Sequence, residues 1–243
     1  IPPGIASQPH RDFAELPLVA FTLLAQMAAG IAICSLALPS LPLPLLLSTG
    51  ALLGMGGLLS FLHLGSKRNA WRSVLHLKKS WLSREILLAG LFGLAWVWNV
   101  ALHWQQESNL ARGLLALLGL GLVFSMSMVY RLRAAPLWNT WRTPAAFLLS
   151  AAVLGSLGVN LGAAERGWAV LAGLALGAEL ILALTAKPSS AGWADRLRLA
   201  CLGLGLAGAL LLVMGAALSI PVFALALASE FLGRWQFYIS RAA

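Results

Sequence analysis

The chain is a succession of long apolar runs with little between them. A helix needs about 20 apolar residues to cross the hydrocarbon core of a bilayer. Eight runs meet that length, at 17–38, 44–64, 84–104, 112–131, 144–163, 168–186, 197–216 and 218–239. The last two are separated only by a tight turn near Ser219–Pro221. The runs are rich in Leu, Ala and Gly and lack the alternation of membrane-barrel strands. Composition agrees: 60% of the residues are hydrophobic and 10% charged, whereas a soluble domain is about a quarter charged. The expectation is an all-α, polytopic membrane bundle of eight transmembrane helices. It forms one integral membrane domain over residues 1–243, with 1–16 as an extramembrane segment.

The net charge of +9 does not point to nucleic acid, because a nucleic-acid binder displays its basic residues on a solvated patch. Here they occupy the connectors between apolar runs. Eight spans put both termini on one side of the membrane. Of the 17 Lys and Arg residues, only Arg112 and Arg166 fall on the opposite side. By the positive-inside rule, both termini and the basic loops 65–83 and 132–143 face the cytoplasm. Neither side carries a sizeable extramembrane domain. Any chemistry in water therefore belongs to another protein docked on the basic side.

Arg72, Lys78, Lys79, Arg131, Arg133 and Arg142, together with Trp138, are the candidates for that docking collar. Pro136 and Pro144 are expected to interrupt helix there. The same basic and aromatic residues also suit contact with anionic membrane lipid.

The densest polar constellation is FLHLGSKRNAWRSVLHLKKSWLSREILLAG, from Phe61 to Gly90. His63 ends the second run, Gly65 is placed to terminate it, and Ser83 is placed to cap the third. Glu85 then falls in the first turn of the third helix, at the same shallow depth as His63. Two readings are open. One is a quinone head-group site, with Ser66 and Arg68 beside the pair. There an imidazole hydrogen-bonds a quinone oxygen and a carboxylate relays the proton that accompanies each electron. The other is an interfacial histidine and a carboxylate stabilised by a helix N-terminus.

Polar residues within spans are costly and usually paired or functional. Glu230 and Arg234 stand at i and i+4, the orientation favourable for a pair. Glu179 has no partner in its own run and reads equally as part of a proton path or as a bond to a neighbouring helix. Thr22 and Gln26 share a helical face suited to joining helices. Cys34 and Cys201 lie in apolar runs without CxxC spacing, so neither a disulfide framework nor a metal site is expected. A membrane haem would need two histidines at one depth. His63 and His103 lie at opposite faces and His10 and His76 lie in connectors, so no haem is expected either.

ELPLVAFTLLAQ, LHLGSKRNAW with SWLSREI, VYRLRAAPLWNTWRTP and ASEFLGRWQFY follow one another along the sequence. With them the sequence resembles the DMSO-reductase anchor subunit family over most of its length. The resemblance implies an eight-span anchor without haem in the bacterial cytoplasmic membrane. It implies two partners, a catalytic molybdopterin subunit and a ferredoxin-like subunit with four [4Fe-4S] clusters. Such an anchor is a non-catalytic subunit that carries the site for menaquinone or ubiquinone. The family's quinol-site histidine and acid fall on His63 and Glu85. Lys67 departs from the family pattern, where a proline commonly follows HLGS. Anchors of cytoplasm-facing sulfite-oxidising complexes are the alternative within the resemblance. From other classes, a secondary transporter using Glu179 and Glu230 and a purely structural anchor are the rivals. The sequence has no internal repeat of transporter type.

Overall fold

The computed structural model of the protein describes residues 16–63, 76–105, 108–132, 138–163, 165–186 and 192–239. Among these, the regular elements are eight α-helices and one 3-10 turn, Ser35–Ala37. The helices are α1 (Leu16–Cys34), α2 (Leu43–His63), α3 (Trp81–His103), α4 (Asn109–Val129), α5 (Arg142–Gly162), α6 (Arg166–Leu184), α7 (Gly192–Val213) and α8 (Ser219–Ile239). Helices are what a bilayer permits, because a spanning segment must satisfy its backbone polar groups internally. Seven of them, α1 to α7, are long and apolar enough to cross a membrane. The eighth has the length, 21 residues, but carries Glu230, Arg234 and Gln236.

Several boundaries differ from the sequence expectation. Ser80, not Ser83, caps α3: its backbone is extended (φ −118°, ψ 120°) and its side chain accepts from the Ser83 amide. The helix therefore opens at Trp81, and Glu85 lies one turn further in than expected, beyond the reach of first-turn dipole stabilisation. Ser108 caps α4 in the same way, which brings Arg112 inside the helix. Pro144 starts α5 instead of breaking it. It sits in the first turn, where a proline's missing amide proton would have had no helical partner.

Consecutive helices run antiparallel. Trp96 Nε1, late in α3, donates to the Leu46 carbonyl early in α2 (2.7 Å). Asn99 Nδ2 donates across to the Ala111 carbonyl at the start of α4 (2.9 Å), while Ser125 Oγ, late in α4, donates to the Trp81 carbonyl (3.3 Å). α1 lies centrally, packed against α2, α4, α5 and α8. Small residues allow this: Gly30 of α1 and Gly155 of α5 meet backbone to backbone, and Gly119 of α4 faces Ala29. Such close approach is the usual device for helix association in lipid. A second core joins α5 to α8 through Val153, Leu157, Leu176, Leu202 and Val222.

The outside is apolar as well. Leu94, Leu174 and Leu204 are 67%, 69% and 60% exposed. Exposed apolar surface on this scale marks contact with lipid. At the bundle end opposite the basic loops, Arg112 is buried and donates to the carbonyls of Ser35, Leu38 and Pro39. A guanidinium placed after the C-terminus of α1 satisfies carbonyls that the helix leaves open.

Candidate functional site

The ends of α2, α3, α4, α5 and α8 that lead into the basic connectors gather the polar and aromatic residues of interest. His63 is the last residue of α2. Its side chain, together with Ser66, Arg68, Arg72 and Arg133, lies outside the described residues. Glu85 is described and is buried, only 6% exposed. It shares the inward face of α3 with the buried Phe92 and Asn99, seven and fourteen residues further on. Its neighbour Arg84 turns the other way. That guanidinium lies 4.2 Å above the Trp81 ring and donates to the Leu77 and Lys78 carbonyls.

An aromatic cluster closes over this end of the bundle. Tyr130, the C-cap of α4, has its ring centroid 5.3 Å from Tyr238, 5.6 Å from Phe237, 5.7 Å from Phe147 and 5.8 Å from Trp138. Trp138 stacks on Phe237 at 4.7 Å. Glu85 lies within electrostatic reach of both tyrosines. The carboxylate expected at the membrane surface is thus buried, within that reach of two buried phenols.

The docking collar divides. Lys78, Lys79 and Arg131 are exposed. Trp138 is 3% exposed and belongs to the aromatic core. Arg142 is occupied by α6, donating to the Leu182 (3.1 Å) and Thr185 (2.8 Å) carbonyls. It caps that helix C-terminus, where a cation is stabilising. Trp168, in the first turn of α6, is likewise buried.

The polar residues within the helices converge. Ser150 of α5 is the junction. Its Oγ lies 2.6 Å from Glu230 Oε2 and 3.5 Å from Glu179 Oε1. Arg234 Nη2 donates to Ser150 Oγ (3.2 Å) and to Gln26 Oε1 (3.0 Å). Glu230 and Arg234 are therefore linked through Ser150, and Glu179 finds its partner on a neighbouring helix. Gln26 does join helices, α1 to α8, and Thr22, whose hydroxyl donates to the Val19 carbonyl of its own helix, also lies within hydrogen-bond reach of Tyr238 of α8. Arg198 of α7 packs against Gly233 and lies within electrostatic reach of Glu179. The Arg234 guanidinium sits 3.7 Å above the Phe147 ring.

Sequence reasoning missed Ser150, Tyr130, Tyr238 and Arg198. One signal was available: Glu230, Arg234 and Tyr238 recur at four-residue spacing, which places them on one face of a helix. Among the described residues, no group of three or more His, Cys, Asp and Glu side chains is arranged to hold a metal ion.

Comparison with known proteins matches residues 43–188 to the family model of the DMSO reductase anchor subunit (DmsC). The matched segment includes His63, Glu85 and Glu179 but not Glu230 or Arg234. The protein is similar to the C subunit of anaerobic dimethyl sulfoxide reductase from Haemophilus influenzae, with 31% identity over 59% of this sequence and 56% of the relative. It is also similar to the anaerobic dimethyl sulfoxide reductase subunit YnfH of Escherichia coli, with 33% identity over 44% of this sequence and 39% of the relative. The match thus spans about half the length, or less, of these curated relatives. No solved structure matches it.

Proposed function

The chain belongs to the DMSO reductase anchor subunit family, and we propose that it is the quinone-binding membrane anchor of a molybdenum/iron–sulfur oxidoreductase. The observation that carries this reading is the burial of Glu85 at the loop-side end of α3, within electrostatic reach of Tyr130 and Tyr238, with His63 closing the preceding helix. A surface carboxylate with no task would remain solvated, because burying a charge without compensation is expensive.

A quinone bound there, menaquinone or ubiquinone, supplies the coupled electron and proton chemistry. The residues of this protein position it and handle its protons. The His63 imidazole hydrogen-bonds a ring oxygen, Ser66 and Arg68 border the head group, and Glu85 takes up or returns the proton that accompanies each electron. Electrons pass to or from a four-cluster iron–sulfur subunit docked on the exposed basic residues. Substrate chemistry belongs to the molybdopterin subunit beyond it. The site then lies at the cytoplasmic face of the bacterial inner membrane, in an eight-span topology.

His63→Ala tests the reading. The complex should still assemble, and quinone-linked turnover should fall sharply. Turnover with a soluble artificial electron donor or acceptor should survive, because that route bypasses the membrane site. Equal loss in both assays would make His63 a structural residue and sink the proposal.

A further inference from the structure

α2 and α3 meet along only part of their length. Away from the basic loops they are tightly packed. The Trp96 indole lies over Gly50, where a Cβ would overlap the ring, and donates to the Leu46 carbonyl. Nearer the loops Gly93 still faces Leu53, whose Cδ2 is 3.8 Å from where a Cβ would stand. In the antiparallel register of these contacts, Gly57 comes opposite Ala89 and Phe61 comes opposite Glu85. Gly57 continues the α2 face of Leu46, Gly50 and Leu53 at helical spacing. Yet a Cβ at Gly57 would meet nothing within 4 Å. The two helices therefore part beyond Leu53. Each keeps its other neighbour there: Gly56 packs on Phe21 and Leu24 of α1, and Leu88 on Gly121 of α4.

The parting leaves a cleft between α2 and α3, backed by α1 and α4, which pack on each other. Its walls are Leu53, Gly57 and Phe61 on one side and Ile86, Ala89 and Gly93 on the other, all apolar. Phe61 and Ile86 are exposed, so the cleft opens sideways to the bilayer. Between Gly93 and Glu85 it runs along roughly 12 Å of helix. Glu85 stands at its loop-side end. At about 3.6 residues per turn it projects roughly 40° from Ala89, toward the side of Phe92. It is 6% exposed, and among the described residues no hydrogen bond is made to its carboxyl. A buried acceptor without a donor calls for a partner that enters.

We propose that this cleft is the tail subsite of the quinone site: with the head group at Glu85, the first isoprene units lie between Gly57 and Ala89 and leave sideways into the bilayer. The assignment rests on the quinone reading above and adds to it where the tail is held. The chemistry of the two ends selects the occupant. An isoprenoid chain must stay out of water while its head group reaches a polar residue, and an apolar cleft open to lipid and ending at a carboxyl provides both. A quinol brings a hydroxyl that can donate to Glu85. A phospholipid in the same cleft would bring an anionic phosphate against that acid.

Steady-state kinetics of the full complex in lipid vesicles tests this, with a long-tailed quinone substrate compared with its tail-less analogue. Gly57→Phe and Ala89→Phe fill the cleft. Each should raise KM for the long-tailed substrate at least about tenfold with kcat retained, the mark of lost binding and not of lost chemistry. KM for the tail-less analogue should not change. Leu58→Phe, on the lipid-facing surface of α2, should change neither. Unchanged KM for the long-tailed substrate in both cleft variants leaves the cleft to membrane lipid and overturns the proposal. Equal loss with the two substrates places these residues at the head group or in the fold, and overturns it as well. Should the variants fail to accumulate, photolabelling of the wild type decides. A quinone with a diazirine on its first isoprene unit should label residues 53–61 or 86–93, and label absent from both segments overturns the subsite. His63→Ala and Glu85→Gln should impair both substrates alike, so the head-group reading and the tail subsite fail separately.

Discussion

Gly30 of α1 and Gly155 of α5 cross with their backbones in contact, and a Cβ on either would overlap main-chain atoms of the other helix. The overlapping atoms are backbone and cannot swing aside, so the helices themselves would have to separate. Gly155→Ala should therefore destabilise the protein by about 1–3 kcal/mol, the usual cost of overpacking. Gly57→Ala and Gly90→Ala meet open space and should be neutral or mildly stabilising, because alanine is the better helix former by roughly 0.5–1 kcal/mol. Thermal unfolding in detergent distinguishes the two classes. Equal melting temperatures for Gly155→Ala and Gly90→Ala would contradict the crossing.

Arg112 should matter for folding and not for turnover. Its guanidinium gathers carbonyls from three residues after α1, and a lysine's single ammonium cannot reproduce that fork. Arg112→Leu should cost about 1.5–3 kcal/mol, in the range for hydrogen bonds to a charged group, with Arg112→Lys intermediate. In the protein that remains folded, quinone-linked turnover per molecule should equal wild type.

These effects show what the amino-acid order makes readable and what it hides. The helices follow from apolar length, since a bilayer leaves a spanning backbone few other forms. Their starts shift because Ser80 and Ser108 cap from outside the apolar runs, where hydropathy carries no signal. Glu85 was visible as a lone acid between basic residues, but its inward direction depends on where α3 begins. Ser150 was not visible: a serine among alanines reads as a small packing residue. Its meeting with Glu230 spans 80 residues of sequence and depends on how α5 sits against α8. Trp138 and Arg142 carry the composition of a docking surface, and only packing reveals that Trp138 is buried and that Arg142 is held by the end of α6.

Glu85→Gln keeps the shape and a hydrogen bond but cannot exchange a proton. It should slow quinone-linked turnover by at least about tenfold, within the general acid–base range. Glu85→Asp should retain more activity, because it still carries a proton across a slightly longer gap. If the Gln variant matches wild type across the pH range, Glu85 has no part in proton transfer.

Topology is testable by labelling. Cysteines introduced at Ser73 and Ser108 sit in connectors on opposite sides of the predicted bundle. A membrane-impermeant thiol reagent applied to intact cells should reach the Ser108 site and not the Ser73 site. The opposite pattern would reverse the orientation, and labelling of both or neither would break the span count.

The basic residues at the loop-side end should separate into two groups on charge reversal. Lys78, Lys79 and Arg131 are exposed, so Lys78→Glu, Lys79→Glu and Arg131→Glu should leave the melting temperature within error of wild type. They should weaken binding of the soluble subunits, with the difference shrinking at high salt as the charges are screened. Arg142→Gln should behave in the opposite way. Its guanidinium is held by the Leu182 and Thr185 carbonyls, so its loss uncaps α6 and should cost about 1 kcal/mol of stability. Binding by the folded fraction should not change. Copurification yield against salt, measured beside thermal unfolding for each variant, separates the two. A binding defect in Arg142→Gln without loss of stability would return that residue to the docking surface.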